Sequence, residues 1–330
     1  GGPGGWDCPC SRGAVGASVP GEPGRWSHSL TLEEVAGAFV PGRTTVASVI
    51  VWQLRMPRTV LAVMVGASLA VAGVVMQGLT RNPLAEPGIL GINAGASLSV
   101  VLSMSLLGLT DVSDFLWFAF AGAALAAFLV HLMSVRSADA GPARLVLAGV
   151  ALGASLRSIT GTITMYDSVT FDSYRFWVLG SLADRDVVLL VWVAPFLVVG
   201  LVLALASGLT LNALALGEEQ AKALGVSPGR ARALALTSIT LLCGASTAAV
   251  GPISFVGLVV PQVLRLALGA DQRRLLAVSL VAGPVLLLAA DVVGRVILES
   301  GEMEAGVVTA FIGGPVLLLM VIQRMGVKRR

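Results

Sequence analysis

Hydrophobic runs about twenty residues long, each closed by Arg, Gly, Pro or a short polar loop, follow one another from residue 59 to the C-terminus. Runs of this length, uniformly apolar rather than alternating, predict helices that cross a bilayer. Residues 59–79 form an uncharged first span that ends at Arg81, Asn82 and Pro83. Further spans are predicted at 88–109, 115–133, 145–165, 187–209, 233–250, 251–268, 275–297 and 307–322. The pattern therefore reads as an all-α polytopic membrane protein with nine visible transmembrane helices. Pro83, Pro87, Gly251, Pro252 and Pro261 interrupt these runs and predict broken helices, which membranes tolerate only where backbone is buried in protein or borders water.

The longest polar interruption of the hydrophobic part is residues 211–232, LNALALGEEQAKALGVSPGRAR. Gly217 is placed to cap a short helix with Glu218 and Glu219 in its first turn, Lys222 near its other end and Gly225 where it stops. Ser227 and Pro228 then have the residue types that restart a helix. A short helix held between two long apolar ones can receive a push from a partner, and the same spacing also fits an ordinary solvated loop. Residues 1–27 are Gly/Pro-rich, carry no signal-like apolar segment and read as a flexible segment before a transmembrane domain at 28–330. A short helix is expected at 32–39, where Thr31 and Glu34 have capping-box spacing, and residues 166–186 are amphipathic and mixed in charge.

Threading the chain through alternating spans sorts its charges. One set of loops holds Arg81, Arg136, Arg144, Lys222, Arg230, Arg232, Arg273, Arg274 and the basic tail; the other holds Arg43, Arg55, Arg58, Arg175, Arg185 and Arg295 with most of the loop acids. The positive-inside rule makes the first set cytoplasmic, which puts the 211–232 loop and the C-terminus inside. An odd number of spans then leaves residue 1 outside and points to a missing first helix. Arg55, Arg58 and Arg295 lie on the outer face against the rule, which fits an acidic partner there; lipid phosphates or local acids such as Glu299 and Glu302 fit equally. Arg157 and Asp291 fall inside apolar spans, where a charge faces a cavity or a counter-ion, so both are candidates to line a path.

Composition agrees with the pattern: 56% of residues are hydrophobic, 12% are charged and Gly numbers 39. The glycine pairs Gly91/Gly95 and Gly149/Gly153 read as close helix packing. A net charge of +3, scattered at span ends, gives no reason to expect nucleic acid. Cys8, Cys10 and Cys243 form no disulfide framework, and His28 and His131 cannot supply a metal site. No P-loop occurs, so the chain has no ATP site of its own.

Several long motifs stand in unbroken order: QLRMPR at 53–58, GASLAVAGVVMQGLTRNPLAEPGILGINAGAS at 66–97, LALGEEQAKALGV at 214–226, GPISFVGLVVPQVLRL at 251–266, ADVVGR at 290–295 and GVVTAFIGGPVLLL at 306–319. Together they resemble the FecCD-type permease subunits of binding-protein-dependent ABC importers for ferric siderophores, haem and vitamin B12. The resemblance implies ten helices per subunit, a second permease subunit (an identical copy or a paralogue), two cytoplasmic ATPase subunits that hold ATP and Mg, and an external binding protein. It makes this chain a permease and not an enzyme, in a bacterial plasma membrane. It also implies that residues 211–226 carry a coupling helix, with Gly217, Glu218, Glu219, Ala221, Leu224 and Gly225 at the ATPase and Ala221 and Leu224 packed into its cleft. Arg55, Arg58 and Arg295 match arginines that pair with glutamates of the binding protein. Residues 1–27 depart from the family pattern, and Gln262 stands where the family often has His; no role is assigned to it. The expectation is ATP-driven import of a ferric siderophore. Haem or vitamin B12 as cargo is an alternative, as is a secondary transporter or channel with Arg157 and Asp291 as its coupling charges.

Overall fold

The computed structural model describes residues 37, 45–135, 142–183, 185–298 and 301–327. The Gly/Pro-rich start, the expected capping box at Thr31 and Glu34, Arg136, Glu299 and the last three residues lie outside the described residues. Among those described there is no strand. The helices are α1 (Val46–Thr80), α2 (Ile92–Leu107), α3 (Val112–Val135), α4 (Pro142–Tyr166), α5 (Ser168–Val178), α6 (Val187–Ala206), α7 (Gly208–Ala215), α8 (Glu218–Ala223), α9 (Pro228–Val250), α10 (Val256–Leu268), α11 (Gln272–Ile297) and α12 (Ala305–Val327). Six of them, α1, α3, α4, α6, α9 and α11, are long and apolar enough to cross a membrane by length and composition, and α2, α10 and α12 supply three shorter apolar segments. These are the nine runs of the sequence. The amphipathic stretch after α4 becomes α5, whose N-terminus is capped by the Asp167 carboxylate accepting the Thr170 N–H at 3.1 Å.

The central element is α1. Every residue from Val65 to Thr80 is buried, so this helix is apolar on all sides and shows no helical period in sequence. It begins earlier than the hydrophobic pattern predicts. Residues 50–55 continue it as a π-helical stretch, so that Gln53 and Arg55 belong to the helix rather than to a preceding loop.

Around α1 the partners approach at glycines. The antiparallel α11 lies so near that a Cβ on Gly66 would stand 2.8 Å from the Gly283 carbonyl oxygen, while a Cβ on Gly73 would run into the backbone of Gly257 in α10. Small residues bring the backbones together because no hydrophobic drive separates helix from lipid. Gly91 likewise faces Gly149 and Gly153 of α4, at 3.6 and 3.7 Å from its Cβ direction, whereas Gly95 packs against Gly122 of α3, so the first glycine pair of the sequence serves two different helix contacts.

Two breaks between α-helices, 81–91 with a 3₁₀ turn at Pro87–Leu90 and 251–255, interrupt the bundle and meet each other, with the Glu86 carboxylate accepting the Phe255 N–H at 2.7 Å. These are the breaks expected from Pro83, Pro87, Gly251 and Pro252. Pro261 is a correction: α10 runs through it without stopping. One missing N–H early in a helix packed against α1 and α11 is tolerated because neighbouring helices hold the turn.

Candidate functional site

The bundle has two polar ends. At one, α1 begins, α11 finishes and α12 starts, and the chain at Gly180–Ser181 is tied in by hydrogen bonds to Val250 and Gly306. At the other, α7, α8 and the starts of α9 and α11 come together.

Arg58 and Arg295, separated by most of the chain, meet at the first end over a single carboxylate. The Arg58 guanidinium donates from Nε at 3.0 Å and Nη2 at 2.7 Å to Asp291 Oδ1, and from Nη1 at 2.7 Å to Glu302 Oε2. Arg295, one turn beyond Asp291, reaches its Oδ2 at 3.1 Å. Asp291 is only 3% exposed, Arg58 17% and Glu302 44%, so the network runs from the bundle interior to its surface. A carboxylate shared by two guanidinium groups is affordable at this depth because its lone pairs are filled by charged donors. Arg55 sits three residues before Arg58, at the end of the π-helical stretch, and has interactions of its own.

The two charges expected inside apolar spans, Asp291 and Arg157, are not brought together. Asp291 is consumed by Arg58 and Arg295 at the end of the bundle, whereas Arg157 lies apart on the exposed side of α4. The sequence pointed to Glu302 only as one local acid among others. Its bond to Arg58 spans 244 positions and carries no local signal.

The opposite end is the 211–232 stretch, folded as foreseen. Gly217 caps α8 with φ +121°, a conformation closed to other side chains, and Gly225 follows the helix at φ +79°. Pro228 takes the first position of α9 after Ser227. Here Ala221 requires a correction. It is fully buried in this chain, against Ala213, Leu214 and Ala231, and cannot enter a partner's cleft. The outward face consists of Glu219, Gln220 and Lys222 with Leu216 and Leu224, each leucine 63% exposed. Glu218 points back and pairs with Arg232 of α9.

Asn212 adds a link that the sequence did not single out. Its amide donates to Asp271 Oδ1 at 2.8 Å, and its oxygen accepts the Gln272 N–H at 2.9 Å, which ties α7 to the start of α11. That bond, with the Arg273 backbone N–H, holds the Asp271 carboxyl below its usual range. Only the type of residue, an Asn beside a run of apolar positions, was available as a signal.

Between the ends the described residues offer no group of three His, Cys, Asp or Glu side chains that could hold a metal. Gln262 sits on α10 with its side-chain oxygen buried and without a hydrogen-bond partner. A cavity of about 440 Å³ opens beside Leu179, Pro252, Ser254, Phe255, Val307 and Phe311, and its walls are mostly apolar. Such a surface can border a bulky ligand without gripping it.

Known proteins match this chain over most of its length. The FecCD transport family matches residues 25–323. The ferric enterobactin transport system permease protein FepD of Escherichia coli K12 is 44% identical over 297 residues, covering 89% of this chain and 88% of FepD. The vitamin B12 import system permease protein BtuC of Yersinia pseudotuberculosis is 43% identical over 285 residues, covering 84% of this chain and 83% of BtuC. Among solved structures, an inward-facing metal-chelate type ABC transporter superposes with a TM-score of 0.77 at 28% identity, over 86% of this chain and 91% of its own. Matched by the family from residue 25 to residue 323 and 44% identical to FepD over 89% of its length, the chain belongs to the FecCD transport family.

Proposed function

We propose that this chain, a transmembrane permease subunit, works in a bacterial ATP-driven importer and passes a ferric siderophore or similar iron chelate inward. The observation that carries the reading is the placement of the two polar ends. Arg58 and Arg295 meet at one end of the bundle, with Arg55 three residues before Arg58 on the same helix, and the capped handle of α7 and α8 lies at the other. The arginine end would receive an external binding protein through its carboxylates, and the handle would sit on an ATPase subunit with Leu216 and Leu224 as its apolar contacts. A second permease subunit would cover α4, whose apolar length is the least buried of the six long helices.

ATP and Mg belong to the ATPase. Its nucleotide-bound form would favour one position of the handles, and so shift the balance between outward-open and inward-open permease. A path with apolar walls and no cage of ligating side chains suits a chelate that stays intact while it passes. The rival reading, a transporter coupled through Arg157 and Asp291 without ATP, is less favoured because Asp291 is held in ion pairs with Arg58 and Arg295.

The deciding experiment is uptake by a strain carrying only this system, offered a panel of radio-iron chelates with haem and cobalamin beside them. Accumulation of a ferric siderophore that stops on ATP depletion is expected. Haem or cobalamin accumulation would reassign the cargo, and uptake that follows a proton gradient after ATP is gone would overturn the importer reading.

A further inference from the structure

The two carboxylates on Arg58 are unequal, and this inequality has a use if the arginine end receives a binding protein, the reading on which the following rests. Asp291 grips Arg58 from within the bundle at 3% exposure, through Nε and Nη2. Glu302 takes the remaining nitrogen, Nη1, from the surface at 44% exposure. We propose that Glu302 is an intramolecular stand-in for the binding protein's carboxylate: it occupies Arg58 Nη1 in the undocked permease and yields that position on docking.

The backbone under Glu302 is built for such an exchange. The Met303 N–H donates to the Gly294 carbonyl at 3.0 Å, one turn of α11 beyond Asp291. The Met303 carbonyl also fills the space that a Cβ on Gly294 would need. The segment is thus pinned next to Glu302, and release requires only rotation of an exposed side chain. Asp291 keeps its hold throughout, so the guanidinium stays aimed. An incoming carboxylate replaces one of the same charge, and Arg58 is never left half-buried with an unfilled donor. The exchange makes docking weaker and more reversible than an unoccupied arginine would. An ion pair whose acid is this exposed contributes a factor of about two to five.

The test uses the complete permease and ATPase complex in lipid nanodiscs, titrated with the fluorescently labelled external binding protein of the same system. Glu302→Gln is expected to tighten docking about two- to fivefold. Glu302→Asp, one methylene shorter but still charged, should tighten it as well, because the shorter chain no longer reaches Nη1. In an Arg58→Lys background both gains should disappear, as coupled residues require. Unchanged or weaker docking in Glu302→Gln overturns the proposal, and so does a gain in Gln without one in Asp, which would mark simple removal of a repelling charge. Failure of the docking reading has a different signature: Arg55→Glu binds the partner as tightly as the unaltered complex.

Discussion

Asp291 is a buried carboxylate at the end of an apolar stretch of α11, and only its partners make it tolerable there. Arg58 lies 233 positions away and Arg295 one turn away, and both are committed to it. Removing the carboxylate strands Arg58, itself only 17% exposed, with Glu302 as its remaining acid. Asp291→Ala is therefore expected to lower stability by on the order of 3 kcal/mol, the usual cost of breaking a buried ion pair from one side. Thermal melting of the detergent-solubilised permease measures it. Arg175→Ala, which opens an exposed pair with Asp172, should melt close to the unaltered protein, and equal melting of both variants would mean that the Asp291 network bears no load.

At the scale of the element, α8 divides its residues by face. Ala221 looks inward on Ala213, Leu214 and Ala231, whereas Leu224 looks out, just past the helix and before Gly225. The same short helix thus supports two different outcomes. Ala221→Leu overpacks the contact with α7 and α9 and is expected to cost about 1–3 kcal/mol, seen as a lower melting temperature. Leu224→Asp should leave melting unchanged and abolish ATP-driven uptake, because a charge would then face an apolar groove of the ATPase. Full uptake by Leu224→Asp would remove Leu224 from the docking surface.

At the scale of the molecule, α11 joins the two ends. Its first turn is bonded to the handle through Asn212, and its last turns hold Arg58 through Asp291. A helix of 26 residues is about 39 Å long, so this one element reaches from the handle to the arginine cluster. By the positive-inside rule the charge distribution predicts a cytoplasmic handle and an external arginine cluster. With Cys8 and Cys10 replaced by Ser, Glu302→Cys should react with a membrane-impermeant maleimide in intact spheroplasts, and Leu224→Cys only after lysis. The remaining cysteine, Cys243, is buried and should stay silent. The opposite order of labelling would reverse the orientation.

The course of the apolar helices among the described residues, the capped handle at Gly217 and Gly225, and the separation of charges between ends were legible in the sequence alone. Each depends on composition and on spacing within a few residues, which local chemistry dictates. Pro261 misled, since a proline lowers helix propensity locally while packing against α1 and α11 decides whether the helix survives. The full length of α1 was hidden for a related reason: Arg55 and Arg58 sort with a loop in sequence, and only the bundle shows them wound into the helix. The inward turn of Ala221, the tie from Asn212 to Asp271, and above all the meeting of Arg58, Asp291, Arg295 and Glu302 were decided by the tertiary structure. These contacts join residues up to 244 positions apart, and no periodicity in a chain records which distant side chain will fill a buried charge.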